Sequence, residues 1–193
     1  MKMNSLSSLK ENKGPIDILR SRLGCLIARK TFLKKTARPG KPQSFSGFVG
    51  DASSFLIVMP DGDEDFGNAL EFADTIRKKG KKVSLLAKED KLSDLIQTKR
   101  FRYIKVNPSD KTRLELPNKK FALMLRREKY DVVIDLNIPE NTYCSVAANL
   151  VNSKFRIGFM KRHSDRFYNM QIANNEINSA LSYRNLLNSL QMF

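Results

Sequence analysis

The sequence predicts an α/β domain with a mostly parallel sheet and helices on both faces. Short apolar runs, such as FLIVM at 55–59, alternate with longer segments whose apolar residues recur at helical spacing. This alternation is typical of parallel strands joined by helices. The runs are apolar at consecutive positions, as in strands that are buried on both faces. We therefore predict a basic N-terminal extension at residues 1–50 and a single α/β domain at residues 51–193.

The N-terminal extension is far more basic than the rest of the chain. Residues 1–50 contain 11 Lys or Arg and two acids, so they supply +9 of the net charge of +15. Residues 15–35 predict an amphipathic helix with Pro15 in its first turn. Residues 37–54 are rich in Pro, Gly and Ser, which predicts a linker. The helix packs on the domain, lies at an anionic membrane surface or, least favoured because it has few aromatic residues, binds nucleic acid.

The domain contains five predicted strands and five predicted helices, in alternation. The strands are expected at 53–60, 81–88, 101–108, 130–137 and 154–160. The helices are expected at 65–80, 89–99, 119–129, 140–152 and 176–193. Helical spacing places Ala69, Phe72, Ala73 and Ile76 on the inner face of the first of these helices. The same spacing places Ile177, Leu181, Leu186, Leu187 and Leu190 on the inner face of the closing helix.

The composition argues against several kinds of site. Cys25 and Cys144 are isolated in apolar surroundings, which predicts buried thiols in a reducing compartment and no zinc site. His163 is the single histidine, so no multi-histidine metal site is expected. No predicted strand is followed by a Gly-rich phosphate loop. With neither a spanning apolar run nor a signal peptide, we expect a cytoplasmic protein.

Four acids cluster in PDGDEDFGN, residues 60–68, directly after the first predicted strand. A calcium loop that begins at Asp61 would need Gly at its sixth position, where Phe66 stands. An aspartyl-phosphate phosphatase would need further acids after a later strand, where only Asp135 is present. The remaining interpretation is that the acids stabilise the N-terminus of the next helix, with one of them also free to act in catalysis.

Two further groups of polar residues follow strands at the carboxyl edge of the sheet, where parallel sheets bind ligands. Asp135 and Asn137 end the fourth strand, where they could bind sugar hydroxyls or cap the next turn. A basic set surrounds the end of the fifth strand and could bind phosphates or form a solvated loop. Its members are Arg156, Lys161, Arg162, His163 and Arg166.

Residues 53–193 resemble the N-terminal domain of the family 9 glycosyltransferases, the ADP-heptose:lipopolysaccharide heptosyltransferases. The resemblance rests on FLIVMPDGDEDFGNALEFADTIRKK, on YDVVIDLN with AANLVNSKFRIGF, and on RFYN with the closing helix. It implies a Rossmann-like fold that binds the lipid-linked, lipopolysaccharide-type acceptor of sugar transfer. It also implies that Asp65 is the general base, with no metal or cofactor other than a nucleotide-sugar donor such as ADP-heptose.

The resemblance covers one of the two domains of such enzymes, so donor binding is expected to need a second domain or a partner chain. An alternative is a non-catalytic relative that binds an anionic glycolipid or the inner face of the membrane. A less favoured alternative is a nucleic-acid-binding protein that uses the net positive charge.

Overall fold

One parallel sheet organises the domain. The computed structural model describes residues 47–96 and 100–192, together with residues 19, 23, 24, 26 and 27. Within these residues, the strands follow the order β3-β2-β1-β4-β5-β6, and every neighbouring pair is parallel. The strands are β1 Ser54–Val58, β2 Lys82–Lys88, β3 Arg102–Val106, β4 Lys129–Asp135, β5 Asn152–Phe159 and β6 Met170–Ile172. The predicted fold is confirmed: a Rossmann-like α/β domain.

Helices connect the strands and cover both faces of the sheet. They are α1 Phe48–Asp51, α2 Asp63–Lys78, α3 Glu89–Ile96, α4 Lys119–Arg127, α5 Thr142–Leu150 and α6 Ser179–Gln191. Two short 3-10 turns lie at Pro108–Asp110 and Ser164–Arg166. Five described residues of the extension are helical as well: Leu19, Leu23, Gly24, Leu26 and Ile27.

The sheet separates two apolar cores. Along β1, Phe55 and Ile57 belong to one core while Leu56 and Val58 belong to the other. All four are at most 1% exposed. This explains why the run FLIVM is apolar at every position: a strand covered on both faces has no polar side.

Different helices cover the two faces. The first core contains residues of α1, α2 and α6. The second core contains residues of α4 and α5, and Ile27 of the extension packs against it. The predicted inner face of α2 is confirmed, since Ala69, Phe72, Ala73 and Ile76 are all buried.

Two details of the C-terminal region differ from the prediction. The edge strand β6 was missed, because three partly buried residues carry no periodic signal and are held by pairing with β5. Helix α6 begins at Ser179 because the Asn178 side chain accepts hydrogen bonds from two backbone amides of its first turn. Ile177 therefore precedes the helix and is fully exposed, whereas Leu186 and Leu190 are buried as expected.

The extension contacts the domain at several points. A Cβ added to Gly24 would lie 2.5 Å from the carbonyl oxygen of Leu114, so the segment approaches the domain backbone closely. Part of the predicted linker is helix α1, and its Phe48 ring packs 4.4 Å from that of Phe155 in the first core. The domain core therefore begins before the predicted boundary at residue 51. The rest of the predicted helix and residues 37–46 lie outside the described residues, as does Cys25.

A carboxylate joins the beginnings of the two central strands. Asp131 Oδ2 accepts hydrogen bonds from the amides and hydroxyls of Ser53 and Ser54, at 2.8–3.0 Å. Burial alone would raise the pKa of Asp131, but these hydrogen bonds outweigh it and lower the pKa to about 2. Asp131 lies at the amino edge of the sheet, so this part of the YDVVID motif is structural.

We expect Asp131→Asn to lower the free energy of unfolding by about 1.5 kcal/mol at neutral pH, the scale of a charged hydrogen bond. The folded pKa of Asp131 lies below its unfolded value, so the stabilisation is complete above about pH 4. It is lost as the pH falls towards the folded pKa of about 2. Urea unfolding across this pH range should show the wild type and the variant converging.

The exposed acid Glu71 provides the control for this experiment. Its Glu71→Gln variant should keep a constant, small difference from the wild type. A pH-independent difference for Asp131→Asn would contradict the role assigned to the Asp131 charge.

Candidate functional site

The carboxyl edge of the sheet brings the predicted site residues other than Arg156 to one end of the domain. From the neighbouring central strands β1 and β4, the chain continues towards opposite edges of the sheet. This arrangement opens a crevice between the connections that follow the two strands, and ligands of open α/β sheets bind there. Helices α2 and α5 begin at this edge, so their positive dipole ends face it.

Asp135, the last residue of β4, lies at the centre of a buried polar network. Its carboxylate is 0% exposed. Oδ1 accepts hydrogen bonds from the backbone amide of Asn137 at 3.0 Å and from the Asn137 side chain at 2.7 Å. Oδ2 accepts a hydrogen bond from the Tyr168 hydroxyl and lies 3.7 Å from Nζ of Lys161. The buried charge is thus both paired and hydrogen-bonded, as a charge inside a protein must be.

Tyr168 closes this network from the loop that precedes β6. Its hydroxyl also lies 2.8 Å from that of Ser145 on α5. Because the phenol proton goes to Asp135, Ser145 supplies the proton of this second bond. Burial, followed by the charge of Asp135, raises the pKa of Tyr168 well above its usual value. Tyr168 therefore stays protonated and keeps donating to the carboxylate.

Gly158 on β5 makes room for the Tyr168 ring. A Cβ at this position would lie 2.8 Å from two ring carbons, closer than a side chain tolerates. A glycine inside a strand often marks such a close approach. The glycine of the RIGF sequence is therefore explained by ring packing rather than by ligand contact.

Lys161 is buried, unlike the other basic residues of its loop. Its side chain is 7% exposed, and Nζ donates to the backbone carbonyls of Asn137 and Pro139. Its backbone amide donates to the Ser164 hydroxyl at 2.9 Å. Lys161 thus fastens the beginning of the loop to Asp135, while Tyr168 fastens its end.

Between these two anchors, the loop presents basic side chains outward. Arg162 and Arg166 are exposed and His163 is half-buried. His163 has a φ of 63°, in the left-handed region, and is the N-cap of the 3-10 turn Ser164–Arg166. The loop is therefore a fixed turn that carries three basic residues at the carboxyl edge of the sheet.

Arg156 lies apart from this group. Its guanidinium donates to the carbonyls of Ala148 and Val151, at 3.3 and 2.6 Å. These carbonyls belong to the C-terminal end of α5, where a cation is stabilising. Because α5 runs back along the sheet, its C-terminal end lies near the amino edge. The structure thus does not bring Arg156 together with the other basic residues of the predicted site.

Asp65 lies in the first turn of α2, after β1. Helix α2 begins at Asp63, so three acids occupy its first turn, and this confirms that the acidic stretch starts a helix. Asp65 is half-buried. Its carboxylate folds back over the turn, where a Cβ at Gly62 would lie 3.6 Å from Oδ2. Among the described residues, no side chain or amide donates a hydrogen bond to the Asp65 carboxylate.

Tyr183 of α6 is buried and binds the residue that follows β4. The Tyr183 hydroxyl donates to the carbonyl of Leu136 at 2.9 Å. Burial raises the pKa of Tyr183, and the charges of Asp65 and Asp135 raise it further. Because β1 and β4 are neighbours, Asp65 and Asp135 both lie at the carboxyl edge of the sheet.

A small cavity lies between the ends of β1–β3 and the first turn of α5. Its volume is about 20 Å³, and its lining includes Asp61, Lys88, Lys111, Tyr143 and Cys144. That volume holds about one water molecule. Nζ of Lys88 lies 3.0 Å from Asp61 Oδ2. The cavity is therefore too small for a sugar.

The cavity wall offers neither a reactive thiol nor a metal site. Burial raises the pKa of Cys144 well above its usual value, so the thiol stays protonated and unreactive. Across the described residues, no group of three or more His, Cys, Asp or Glu side chains is arranged to hold a metal ion.

Sequence reasoning missed three parts of this site: the Tyr168 hydroxyl, Ser145 and the Asp61–Lys88 pair. Tyr168 was expected in the core, and it is buried. Its polar function had one signal in the sequence, the glycine inside the strand that precedes it. Ser145 and Lys88 had no such signal, because their partners come from distant parts of the chain.

A family model that covers residues 27–193 matches the sequence, and it describes a family of unknown function, DUF6913. The chain belongs to the DUF6913 family. None of the curated proteins matches this DUF6913 chain.

Solved structures show similarity in fold. A glycosyl transferase family 9 protein from Veillonella parvula DSM 2008 matches with a TM-score of 0.58 at 17% identity. The match covers 73% of the DUF6913 chain and 42% of that protein, so the chain spans less than half of its length. A dipicolinate synthase from Bacillus halodurans matches with a TM-score of 0.40 at 14% identity, over 90% of this chain and 56% of that one. At 17% identity, the likeness to the glycosyl transferase family 9 protein is one of fold.

We expect Lys161→Met to lower the free energy of unfolding by about 3 kcal/mol, because it leaves the buried Asp135 charge without its cation. The neighbouring exposed Arg162 provides a matched control. Arg162→Met should change the free energy by about 0.5 kcal/mol or less. Urea unfolding measures both, and equal effects would contradict the pairing of Lys161 with Asp135.

Gly158→Ala should cost about 1–3 kcal/mol of unfolding free energy, because the added methyl group meets the Tyr168 ring. Gly67 lies inside α2 with open space around it. Gly67→Ala should therefore stabilise the protein by up to about 1 kcal/mol. In a double-mutant cycle with Tyr168→Ala, the cost of Gly158→Ala should largely disappear. A fully additive cycle would rule out the proposed clash.

Proposed function

We propose that this DUF6913 chain is a glycosyltransferase-like domain that binds the acceptor of sugar transfer. The acceptor would be a lipid-linked, phosphate-bearing glycan of the lipopolysaccharide type. The observation that carries the proposal is the position of Asp65: a half-buried carboxylate at the carboxyl edge, with no partner among the described residues. The fold similarity to a glycosyl transferase family 9 protein supports it.

In this proposal Asp65 is the general base. Transfer forms a bond between an acceptor hydroxyl and the anomeric carbon of the donor sugar, and the bond from that carbon to the nucleotide phosphate breaks. The acceptor hydroxyl loses its proton, which a carboxylate within hydrogen-bond reach can accept. Asp65 suits this function because its oxygens are not engaged by other described groups. A second domain or a partner chain would hold the donor, a nucleotide sugar such as ADP-heptose.

The basic loop is the proposed acceptor clamp. Arg162, His163 and Arg166 offer donors that match phosphate oxygens. Asp135 has a positioning function, because its bonds to Lys161 and Tyr168 hold both ends of the loop. Asn137 shares in this function through its two hydrogen bonds to the same carboxylate.

A second candidate function is a non-catalytic module that binds an anionic glycolipid. The observation that favours it is local: Glu64 precedes Asp65 inside the first helical turn, so no flexible turn presents the carboxylate to a ligand. The two candidates share the acceptor clamp and differ in whether sugar is transferred.

Asp65→Asn should reduce sugar transfer by about 10²–10⁴-fold, the usual contribution of a general base. Acceptor binding should stay unchanged, because Asn keeps the size of the side chain. The assay follows transfer from ADP-heptose to a lipopolysaccharide core oligosaccharide, by the purified chain alone and with candidate donor-binding domains.

Asp63→Asn is the matched control, since Asp63 lies in the same helical turn and its side chain is 92% exposed. It should leave transfer intact. Undiminished transfer by Asp65→Asn would remove Asp65 as the base. Tight binding of the phosphorylated oligosaccharide without transfer under any condition would establish the non-catalytic function instead.

A further inference from the structure

The outer surface of α4 has an unusual composition. Every exposed side chain of this helix is basic or apolar, and none of its nine residues is acidic. Phe121, Ala122 and Leu125 face the second core. The exposed residues are Lys119, Lys120, Leu123, Arg126 and Arg127. Helical spacing thus surrounds one exposed leucine with four positive charges.

The described part of the N-terminal extension lies over the same side of the sheet. Ile27 packs against the second core, and Gly24 approaches the backbone of Leu114. Three leucines of the same segment remain outside this contact. Leu19, Leu23 and Leu26 are 68%, 47% and 51% exposed. Their spacing of four and three residues places them on one side of the helix, away from the domain.

We propose that these two elements form a docking surface for a bilayer that contains anionic phospholipids. We name it the basic leucine face and define it by its exposed residues. They are Leu19, Leu23, Leu26, Lys119, Lys120, Leu123, Arg126 and Arg127. The lysines and arginines would pair with lipid phosphates, while the leucines would enter the boundary between headgroups and acyl chains.

Helices on the opposite side of the domain expose a different set of side chains from α4. Exposed side chains of α2 include the acids Glu64 and Glu71 as well as Lys78 and Lys79. Helix α6 exposes one charged side chain, Arg184, among polar and apolar residues. A bilayer would therefore attract the side that carries α4 more strongly than the side that carries α2 and α6.

The chemistry of the face favours a lipid over a nucleic acid. Its eight residues include no aromatic ring on which a base could stack. Exposed leucines among cations contribute nothing to phosphate pairing along a nucleic acid. They do match an interface whose surface is charged and whose interior is apolar. Among the described residues, no helix is long and apolar enough to cross the bilayer, so the face would lie on it.

This inference goes beyond the proposed sugar transfer and does not depend on it. Vesicles that contain no glycolipid therefore test it separately. The full chain is mixed with vesicles of phosphatidylcholine alone, or of phosphatidylcholine with phosphatidylglycerol, and sedimented. We expect the chain to sediment with the anionic vesicles and to be released as the salt concentration rises.

The charge of the face is tested with two variants that have the same net charge. The first replaces Lys119, Lys120, Arg126 and Arg127 with Gln. The second replaces Lys78, Lys79, Lys81 and Arg184 with Gln, which lie on or beside the helices of the opposite side of the sheet. The first variant should bind anionic vesicles about fivefold more weakly for each charge removed, and the second should bind like the wild type.

The apolar part of the face is tested with Leu123→Glu against Ile177→Glu. Both residues are exposed, at 48% and 102%, and they lie on different sides of the domain. Leu123→Glu should lower vesicle binding at least tenfold, while Ile177→Glu should leave it nearly unchanged. Circular dichroism and urea unfolding verify that all four variants keep the fold.

Three results would overturn the proposal. One is an equal loss of vesicle binding in the two charge variants, which would show that binding depends only on net charge. Another is salt-dependent binding to a duplex oligonucleotide with no sedimentation on vesicles, which would make the face a nucleic-acid surface. The third is a wild-type dimer in light scattering that becomes a monomer in Leu123→Glu, which would make the face a contact between two copies of the chain.

Discussion

The buried carboxylate of Asp135 is the constraint on which the carboxyl edge of this domain depends. A charge with no exposure to water is tolerated only if a cation and several donors surround it. Asp135 obtains them from Asn137, which follows β4, and from Lys161 and Tyr168, which both follow β5. Because one carboxylate requires all of these groups, it fixes the positions of the loops that carry them.

Two features of the proposed site follow from this constraint. The loop between Lys161 and Tyr168 is held at both ends, so its remaining basic side chains face outward in a fixed turn. The Tyr168 ring needs space against β5, and Gly158 provides it. Asp65 is positioned differently, by the start of a helix after β1, and lies at the same edge of the sheet because β1 and β4 are neighbours. The proposed clamp and the proposed base thus depend on separate parts of the fold.

The basic leucine face depends on packing rather than on the sheet. Amphipathic helices usually bury their leucines, and the spacing of Leu19, Leu23 and Leu26 suggests burial. The structure instead places Gly24 and Ile27 against the domain, because the small glycine lets the two backbones approach. The leucines are thereby left on the outside. Helix α4 shows the more usual case, with Phe121 and Leu125 inside and Leu123 as the exception among its exposed cations.

The sequence by itself determined the layered parallel fold, the inner face of α2 and the helical start in the acidic stretch. Each of these is local: continuous apolar runs, helical spacing, or acids at a helix terminus. It did not determine that β6 exists, that α6 begins after Ile177, or that Arg156 caps α5. Nor did it determine that Lys161 is buried while its neighbour Arg162 is exposed. Tertiary structure decided these points, because strand pairing, capping and burial of charge depend on partners that are distant in the chain.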